Sequence, residues 1–270
     1  MRVGIVSNDS EKSVALVKQF RETALQAGLT LDNKNPDVVV TVGGDGTLLS
    51  AFHRYAHLLN QVRFVGVHTG HLGFYTDWRD YEIEELVQSL VRDKGESVSY
   101  PLLDVSAIYQ GRKEPAHFLA LNESTIKRLD GTMVCDVYIK DEFFERFRGD
   151  GMCISTPTGS TGYNKSVGGA VIHPRINALQ IAEIASINNR VFRTLSSPMI
   201  IPTDEWLTLR PVTSEGFVLT IDHLTSSEKN IVELSYRVAK ERIHFARYRH
   251  THFWNRVEAG FIGANKQNDL

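Results

Sequence analysis

Apolar residues in the first hundred positions follow two alternating rhythms. Arg2–Ser7 is a short apolar run with strand character. Val14, Val17, Phe20 and Ala24 then recur at the spacing of one helix face until Gly28 ends it. Val38–Val42, valine at every position but Thr41, reads as one continuous apolar run, the pattern of a strand buried on both faces of a parallel sheet. Leu48, Phe52, Tyr55 and Leu59 mark a second amphipathic helix over Thr47–Asn60, and Val62–Val67 another strand. Ile83, Leu86 and Leu90, with Val87 and Val91, mark a third helix. This β-α-β-α order predicts an open, mostly parallel α/β sheet with crossover helices.

Past Tyr100-Pro101 the period changes to two. Val105, Ala107 and Tyr109 alternate with polar partners, as do Val137 and Ile139, Leu207 and Leu209, and Phe217, Leu219 and Ile221. Short alternating runs separated by turn residues predict a β-rich, sandwich-like antiparallel domain. One helix is expected to interrupt it near Ile176–Ala185. Phe253, Trp254, Val257 and Phe261 return to near-helical spacing and predict a terminal helix docking back onto the first domain. The expected division is 1–100 as an α/β nucleotide-phosphate domain, with 250–264 packed on it, and 101–249 as a β-rich domain. The tail Gly263–Leu270 reads as disordered.

Composition narrows the function classes. The 270 residues are 42% apolar and 23% charged, and 30 Lys and Arg nearly balance 32 Asp and Glu. No net field therefore calls for nucleic acid or an anionic membrane. The run Arg242–Arg249, basic and aromatic in alternation, reads as a solvated strand face for the same reason. Two cysteines without a CxxC pair argue against a disulfide framework or a zinc site. The N-terminus lacks a signal-type apolar core, and no apolar run approaches the roughly 18 residues of a membrane span. A cytoplasmic protein is expected.

Three stretches could carry chemistry. In Gly43-Gly44-Asp45-Gly46-Thr47, glycines at the end of a buried strand let backbone N–H groups approach a ligand where a helix begins, which is a phosphate site. An aspartate there would repel phosphate unless it holds a metal or takes a proton from an attacking hydroxyl. The alternative is a tight βα turn with Asp45 as a helix cap. Neither GxxxxGK[ST] nor GxGxxG occurs, so the common nucleotide fingerprints are absent. The second stretch is Arg148-Gly149-Asp150-Gly151 followed by the Ser155–Ser166 run STPTGSTGYNKS. It offers a hydrogen-bonding wall with one aromatic ring for a ligand rich in hydroxyls and amides; alternatively it is a long surface loop. The third is Asn122-Glu123 after a short apolar strand, which taken alone reads as a solvated strand end. The ten histidines lack metal-ligand spacing, and His53 and His57 form no HExxH motif. His223 sits at a strand end where it could edge a pocket.

GGDGT, Asn122-Glu123 and RGDG…STPTGSTGYNKS, in this order and spacing, resemble the NAD kinase family, as does the GxLGF loop at Gly70–Phe74. The similarity runs from about Val38 to Pro174. It implies phosphorylation of NAD by ATP, with Mg2+ arriving on ATP as the only metal. Asp45 would accept the proton of the adenosine-ribose 2′-hydroxyl, and Gly43, Gly44, Gly46 and Thr47 would hold phosphates. Asn122 and Glu123 would meet the adenosine and metal-phosphate region, and Phe74 would line the pocket. Thr158, Thr161, Gly162, Tyr163, Asn164, Lys165 and Ser166 would shape the dinucleotide site. Asp150, with Arg148 beside it, would approach the nicotinamide end from a neighbouring subunit, so a homodimer or homotetramer with a shared pocket is expected.

The sequence departs from the family pattern in places. His68 stands where many members have asparagine, and Gly162 where alanine is frequent. The family's Pro-Ile-Ala/Cys-Pro-His stretch is replaced by Glu183–Ile187, leaving only Ala185 to carry over. Two other functions share part of these motifs. A lipid kinase of the diacylglycerol type would share GGDGT but not the Ser/Thr/Gly wall. A non-catalytic dinucleotide sensor would keep the wall without needing Asp45.

Overall fold

A computed structural model describes residues 1–70, 73–226, 230–249 and 252–263. The chain forms two compact units, Met1–Ser99 joined by the chain from Ile243 onward, and Tyr100–Arg242. The first unit is α/β and the second is built almost wholly from antiparallel strands.

In the first unit, parallel strands run in the order Thr30–Leu31, Arg2–Ser7, Val38–Val42, Arg63–His68. Phe245 pairs with Phe64 beyond the last of these. Val38–Val42 is central and buried along its whole length, Thr41 included, whose hydroxyl donates to the Val65 carbonyl at 3.3 Å. Paired strands on both sides satisfy its backbone, and helices packed on the sheet faces cover its side chains. Helices Glu11–Gln26 and Ile83–Val91 cover the sheet with Leu16, Phe20, Ala24, Ile83, Leu86, Val87 and Leu90. Ser10 caps the first of them by accepting a bond from the Ser13 N–H at 3.2 Å.

Helix faces differ from expectation in detail. Val14 is 57% exposed and Val91 48% exposed. The buried stripe of the first helix runs instead through Ser13, Leu16, Phe20 and Ala24, one residue round from Val14 and Val17. The second helix spans Asp45–Arg54 and is followed by a 3-10 turn, Ala56–Leu58. It therefore starts two residues earlier than the spacing of its apolar side chains suggests. The terminal helix Phe253–Val257 continues as a π-helical turn, Glu258–Ile262, and buries Phe253 and Arg256. The expected disordered tail beyond Gly263 lies outside the described residues.

The second unit contains a six-stranded antiparallel sheet in the order Met199–Pro202, Ala178–Ile184, Gly151–Ser155, Glu123–Arg128, Phe217–Ile221, Leu224–Thr225. Strands Glu142–Gly149, Met133–Ile139, Leu207–Pro211 and Ile231–Ala246 form a second antiparallel group. Between them lies one core that includes Val105, Ile126, Phe147, Met152, Leu179, Leu207, Phe217 and Tyr236. The helix expected near Ile176–Ala185 is a strand. Its apolar run is short enough to suit either form, and ladders with both neighbours decide the matter.

Candidate active site

The glycine-rich loop follows strand Val38–Val42 at its carboxyl end. The Gly43 N–H donates to the Val67 carbonyl at 2.9 Å, tying the loop to the next strand. Gly43 has φ +155°, and a Cβ there would lie 2.2 Å from Thr47 Oγ1, so this position admits only glycine. At Gly44 and Gly46 an added Cβ would meet nothing within 4 Å. Those two leave the outer side of the loop open, next to the first-turn N–H groups of the helix that starts at Asp45.

Asp45 does not cap its helix. Gly44 is the N-cap residue, and Asp45 turns its carboxylate onto another segment of the same unit. The Phe74 N–H donates to Oδ2 at 2.9 Å and the Tyr75 N–H to Oδ1 at 3.1 Å. A Cβ on Gly73 would stand 2.2 Å from Asp45 Oδ1, so the carboxylate rests directly on the backbone. The Phe74 ring packs against Phe253 and Phe261 of the terminal helical segment, with centroids 6.4 and 5.7 Å apart. His68, the departure from the family pattern, is buried and donates from Nδ1 to the Gly70 carbonyl at 2.9 Å. Its Nε2 has no partner among the described residues. His71 and Leu72 of the GxLGF loop lie outside the described residues.

In the second unit, Asn122 precedes and Glu123 opens strand Glu123–Arg128, beside the Ser/Thr/Gly stretch. The Thr156 N–H donates to the Asn122 carbonyl at 2.9 Å, and Thr156 Oγ1 to the Leu121 carbonyl at 2.6 Å. A Cβ on Gly162 would come within 3.1 Å of Glu123 Oε2. Lys127 Nζ sits 4.1 Å from the centroid of the half-buried Tyr163 ring. The wall, however, is not uniformly outward. Thr156 and Ser160 are buried, and Ser160 Oγ donates to the Pro157 carbonyl at 2.6 Å and accepts the Ile172 N–H at 2.8 Å, holding the loop closed on itself. Asn164 is fully buried, whereas Gly162, Lys165 and Ser166 are exposed and Thr161 is half-buried. Buried side-chain atoms of Glu123, Ser155, Thr158 and Asn164 have no partner among the described residues. Such groups are rare unless something else is meant to meet them.

Burial pushes the Glu123 carboxyl up to about 8, the nearby Asp222 charge adds to this, and Lys127 opposes it. The free protein therefore holds a proton on Glu123 at neutral pH that the unfolded chain, near 4.5, does not. Between those two values the native state binds the extra proton, so stability should fall as pH rises from about 5 to 8, at up to about 1.4 kcal/mol per pH unit. Glu145, raised to about 7 by burial and by its neighbour Glu183, contributes in the same window. Chemical denaturation across this range, on wild type and Glu123→Gln, should give a flatter profile for the variant. Parallel profiles would remove Glu123 as the cause.

A third group of residues lies at the other end of strand Gly151–Ser155. Arg148 lays its guanidinium 4.0 Å from the Phe192 ring centroid and accepts the Ile187 N–H on its carbonyl at 2.7 Å. Asp150 is exposed, and its N–H donates to the Ile184 carbonyl at 3.0 Å. Ala185 is exposed with φ +47°, next to Gly149, where a Cβ would meet the Ala185 carbonyl at 2.9 Å. His223 does not belong to this group: it is exposed in the turn after Phe217–Ile221, at the Asn122–Glu123 end of the sheet.

Its neighbour Asp222, to which the sequence pattern gives no role, does more structurally. Its carboxylate accepts the N–H groups of Leu121, Asn122 and Glu123 at 3.0, 2.7 and 3.2 Å, fixing the strand start that presents Asn122 and Glu123. The only signal of this in the sequence is an aspartate in a turn.

Two family models match the chain: the ATP-NAD kinase N-terminal domain over residues 3–95 and the ATP-NAD kinase C-terminal domain over residues 121–241. The NAD kinase of Lacticaseibacillus paracasei is 62% identical over 264 residues, covering 98% of this chain and 99% of that protein. The NAD kinase of Enterococcus faecalis is 61% identical over 263 residues, covering 97% and 99%. The fold is also that of yeast NADH kinase, solved with NADH, at TM-score 0.80 and 20% identity over 98% of this chain and 88% of that one. An NAD kinase from Archaeoglobus fulgidus, solved with ATP, gives TM-score 0.73 and 22% identity over 92% and 94%.

Proposed function

The chain belongs to the NAD kinase family, and from that premise we propose that Asp45 is the base of its phosphoryl transfer. The activity is transfer of the γ-phosphoryl group of ATP to the 2′-hydroxyl of the adenosine ribose of NAD, giving NADP. The lipid-kinase and sensor readings have no support beside relatives that match over nearly the whole length as NAD kinases.

One observation carries the assignment of Asp45. Its carboxylate is not a helix cap but is held by two backbone N–H donors, beside a loop whose outer side is open. Each oxygen keeps a lone pair with which to accept a proton. As the 2′-oxygen bonds to the γ-phosphorus, the bond from that phosphorus to the bridging oxygen of ADP breaks. The hydroxyl proton passes to Asp45. Little covalent chemistry is required of the protein, so positioning and charge stabilisation dominate. The N–H groups at the helix start and around Gly44 and Gly46 suit phosphate oxygens. The unpartnered buried atoms of Glu123, Thr158 and Asn164 suit the polar edges of the dinucleotide. Magnesium enters as part of the nucleotide substrate, carried mainly by phosphate oxygens. The test is NADP formation from Mg-ATP and NAD by the wild-type chain and by Asp45→Asn, with NAD binding measured on both.

We place this chemistry in the cytoplasm. Among the described residues no helix is long and apolar enough to cross a membrane, and both cysteines are buried free thiols. We also propose a homodimer or homotetramer in which Asp150 and Arg148 serve a neighbouring subunit's pocket. Strand Gly151–Ser155 pairs with Glu123–Arg128 so that Ser155 lies opposite Glu123 and Gly151 opposite Lys127. Asp150 is thus one strand length, about 17 Å, from the Asn122 end of the same unit. A second chain can offer its Asp150 end without spanning that distance. Sedimentation and turnover on one dilution series should show activity falling as the assembly dissociates. A monomer working at full rate would overturn the shared pocket.

A further inference from the structure

The terminal helix brings a buried arginine to the segment that holds Asp45. Arg256 is 8% exposed. Its Nη1 donates to the Gly73 carbonyl at 2.6 Å and to the Thr76 carbonyl at 2.8 Å, and its Nη2 pairs with the Asp77 carboxylate. The same short segment donates its Phe74 and Tyr75 N–H groups to Asp45. The backbone of 73–77 is therefore clamped from both sides. The Asp45 carboxylate gathers its N–H groups, and the Arg256 guanidinium gathers its carbonyls and one carboxylate.

The clamp has little slack. A Cβ on Gly73 would overlap Asp45 Oδ1, and a Cβ on Gly66 would stand 2.6 Å from the Tyr75 carbonyl, so this backbone lies in contact with both. A planar guanidinium spreads its five donors over a rigid fork, so Nη1 can hold the two carbonyls while Nη2 holds the carboxylate. A lysine has only three donors on one nitrogen and cannot reproduce that spread. Phe253 and Gly260 of the same terminal segment pack on the Phe74 ring, bringing Arg256 up to the segment from one side. Arg256 also lies outside both segments matched by the family models, which end at residues 95 and 241.

We infer that Arg256 is a positioning residue for phosphoryl transfer, fixing the Asp45 carboxylate through the backbone of Gly73–Asp77. This role rests on Asp45 as the base. Losing the guanidinium frees the carbonyls of Gly73 and Thr76, the two N–H donors shift, and the carboxylate loses its aim. Rates are sensitive to such displacements, whereas ground-state binding of NAD is less so.

The test is a double-variant cycle with Arg256→Gln, Arg256→Lys and Asp45→Asn, each checked by circular dichroism and thermal unfolding. Arg256→Gln should lower kcat about tenfold to a hundredfold while the KM for NAD stays within about threefold. Arg256→Lys should recover part of the rate, because its charge still pairs with Asp77. In the Asp45→Asn background, Arg256→Gln should cost less than about twofold further, because the base it aims is already gone. Wild-type kcat in Arg256→Gln overturns the positioning role, as does an equal loss in both backgrounds, which marks a structural role unconnected with Asp45. Should Arg256→Gln fail to fold, Arg256→Lys takes its place in the cycle, and the same two outcomes overturn the role. Wild-type turnover in Asp45→Asn alone would instead remove the base assignment, and the role of Arg256 with it.

Discussion

Asp45→Asn is expected to fold, to bind NAD within a few-fold of wild type, and to lose at least about a hundredfold in kcat. Asparagine matches the carboxylate in size but cannot take the 2′-hydroxyl proton. General-base assistance typically contributes about 10²–10⁴-fold, which sets the expected loss. The geometry adds a second effect of the same sign. Asp45 accepts from both Phe74 and Tyr75, whereas an amide offers one oxygen, so one of those N–H groups would face an NH2. That mismatch costs about 1–3 kcal/mol where water cannot repair it. NADP formation under saturating Mg-ATP, with calorimetric titration of NAD, separates lost chemistry from lost binding. Turnover near the wild-type rate would mean that Asp45 merely pins Phe74 and Tyr75 in place.

What the sequence made legible follows from how local each cause is. Val38–Val42 could be read to the residue because four of its five positions are valine and Gly43-Gly44 ends it; its one polar side chain, Thr41, is buried and donates to the Val65 carbonyl at 3.3 Å. Ala178–Ile184 could not, because its short apolar run suits helix or strand, and the partners that decide are Gly151–Ser155 and Met199–Pro202. Asp45 was legible as an aspartate among glycines, and the family resemblance supplied its role. That its carboxylate would be held by Phe74 and Tyr75 was not, because those donors lie 29 and 30 residues away. Asp222 and Arg256 were invisible for the same reason, reaching partners as much as 101 and 183 residues distant. Charged side chains that serve backbone groups far along the chain leave no periodic trace. The wall was half legible: its composition marked a polar loop, but not that Thr156 and Ser160 would turn inward to hold it.

Gly159→Ala and Gly46→Ala should fail in opposite ways. A Cβ on Gly159 would lie 2.1 Å from the Asn122 carbonyl oxygen and 2.4 Å from its carbon. Both atoms are backbone, so no side chain can swing aside. The contact is fixed further by Thr156, which bonds the Leu121 and Asn122 carbonyls and accepts the Gly159 N–H at 3.0 Å. The methyl must force the Ser/Thr/Gly loop away from Asn122 and Glu123. A stability loss of about 3 kcal/mol is expected, at the upper end for overpacking because the obstacle is rigid. NAD affinity should fall with it, since Tyr163 and Thr161 move with the loop. At Gly46 the added Cβ meets nothing within 4 Å, in the first turn of a helix where alanine is favoured over glycine by up to about 1 kcal/mol. That variant should melt at or above the wild-type temperature, yet lose at least about tenfold in kcat/KM for ATP, because the methyl stands where phosphate must approach the N–H groups. Thermal unfolding with ATP- and NAD-dependent kinetics on both variants checks the contrast. Full ATP turnover in a stable Gly46→Ala would show that this glycine serves the turn alone, and wild-type stability in Gly159→Ala would show that the loop can yield.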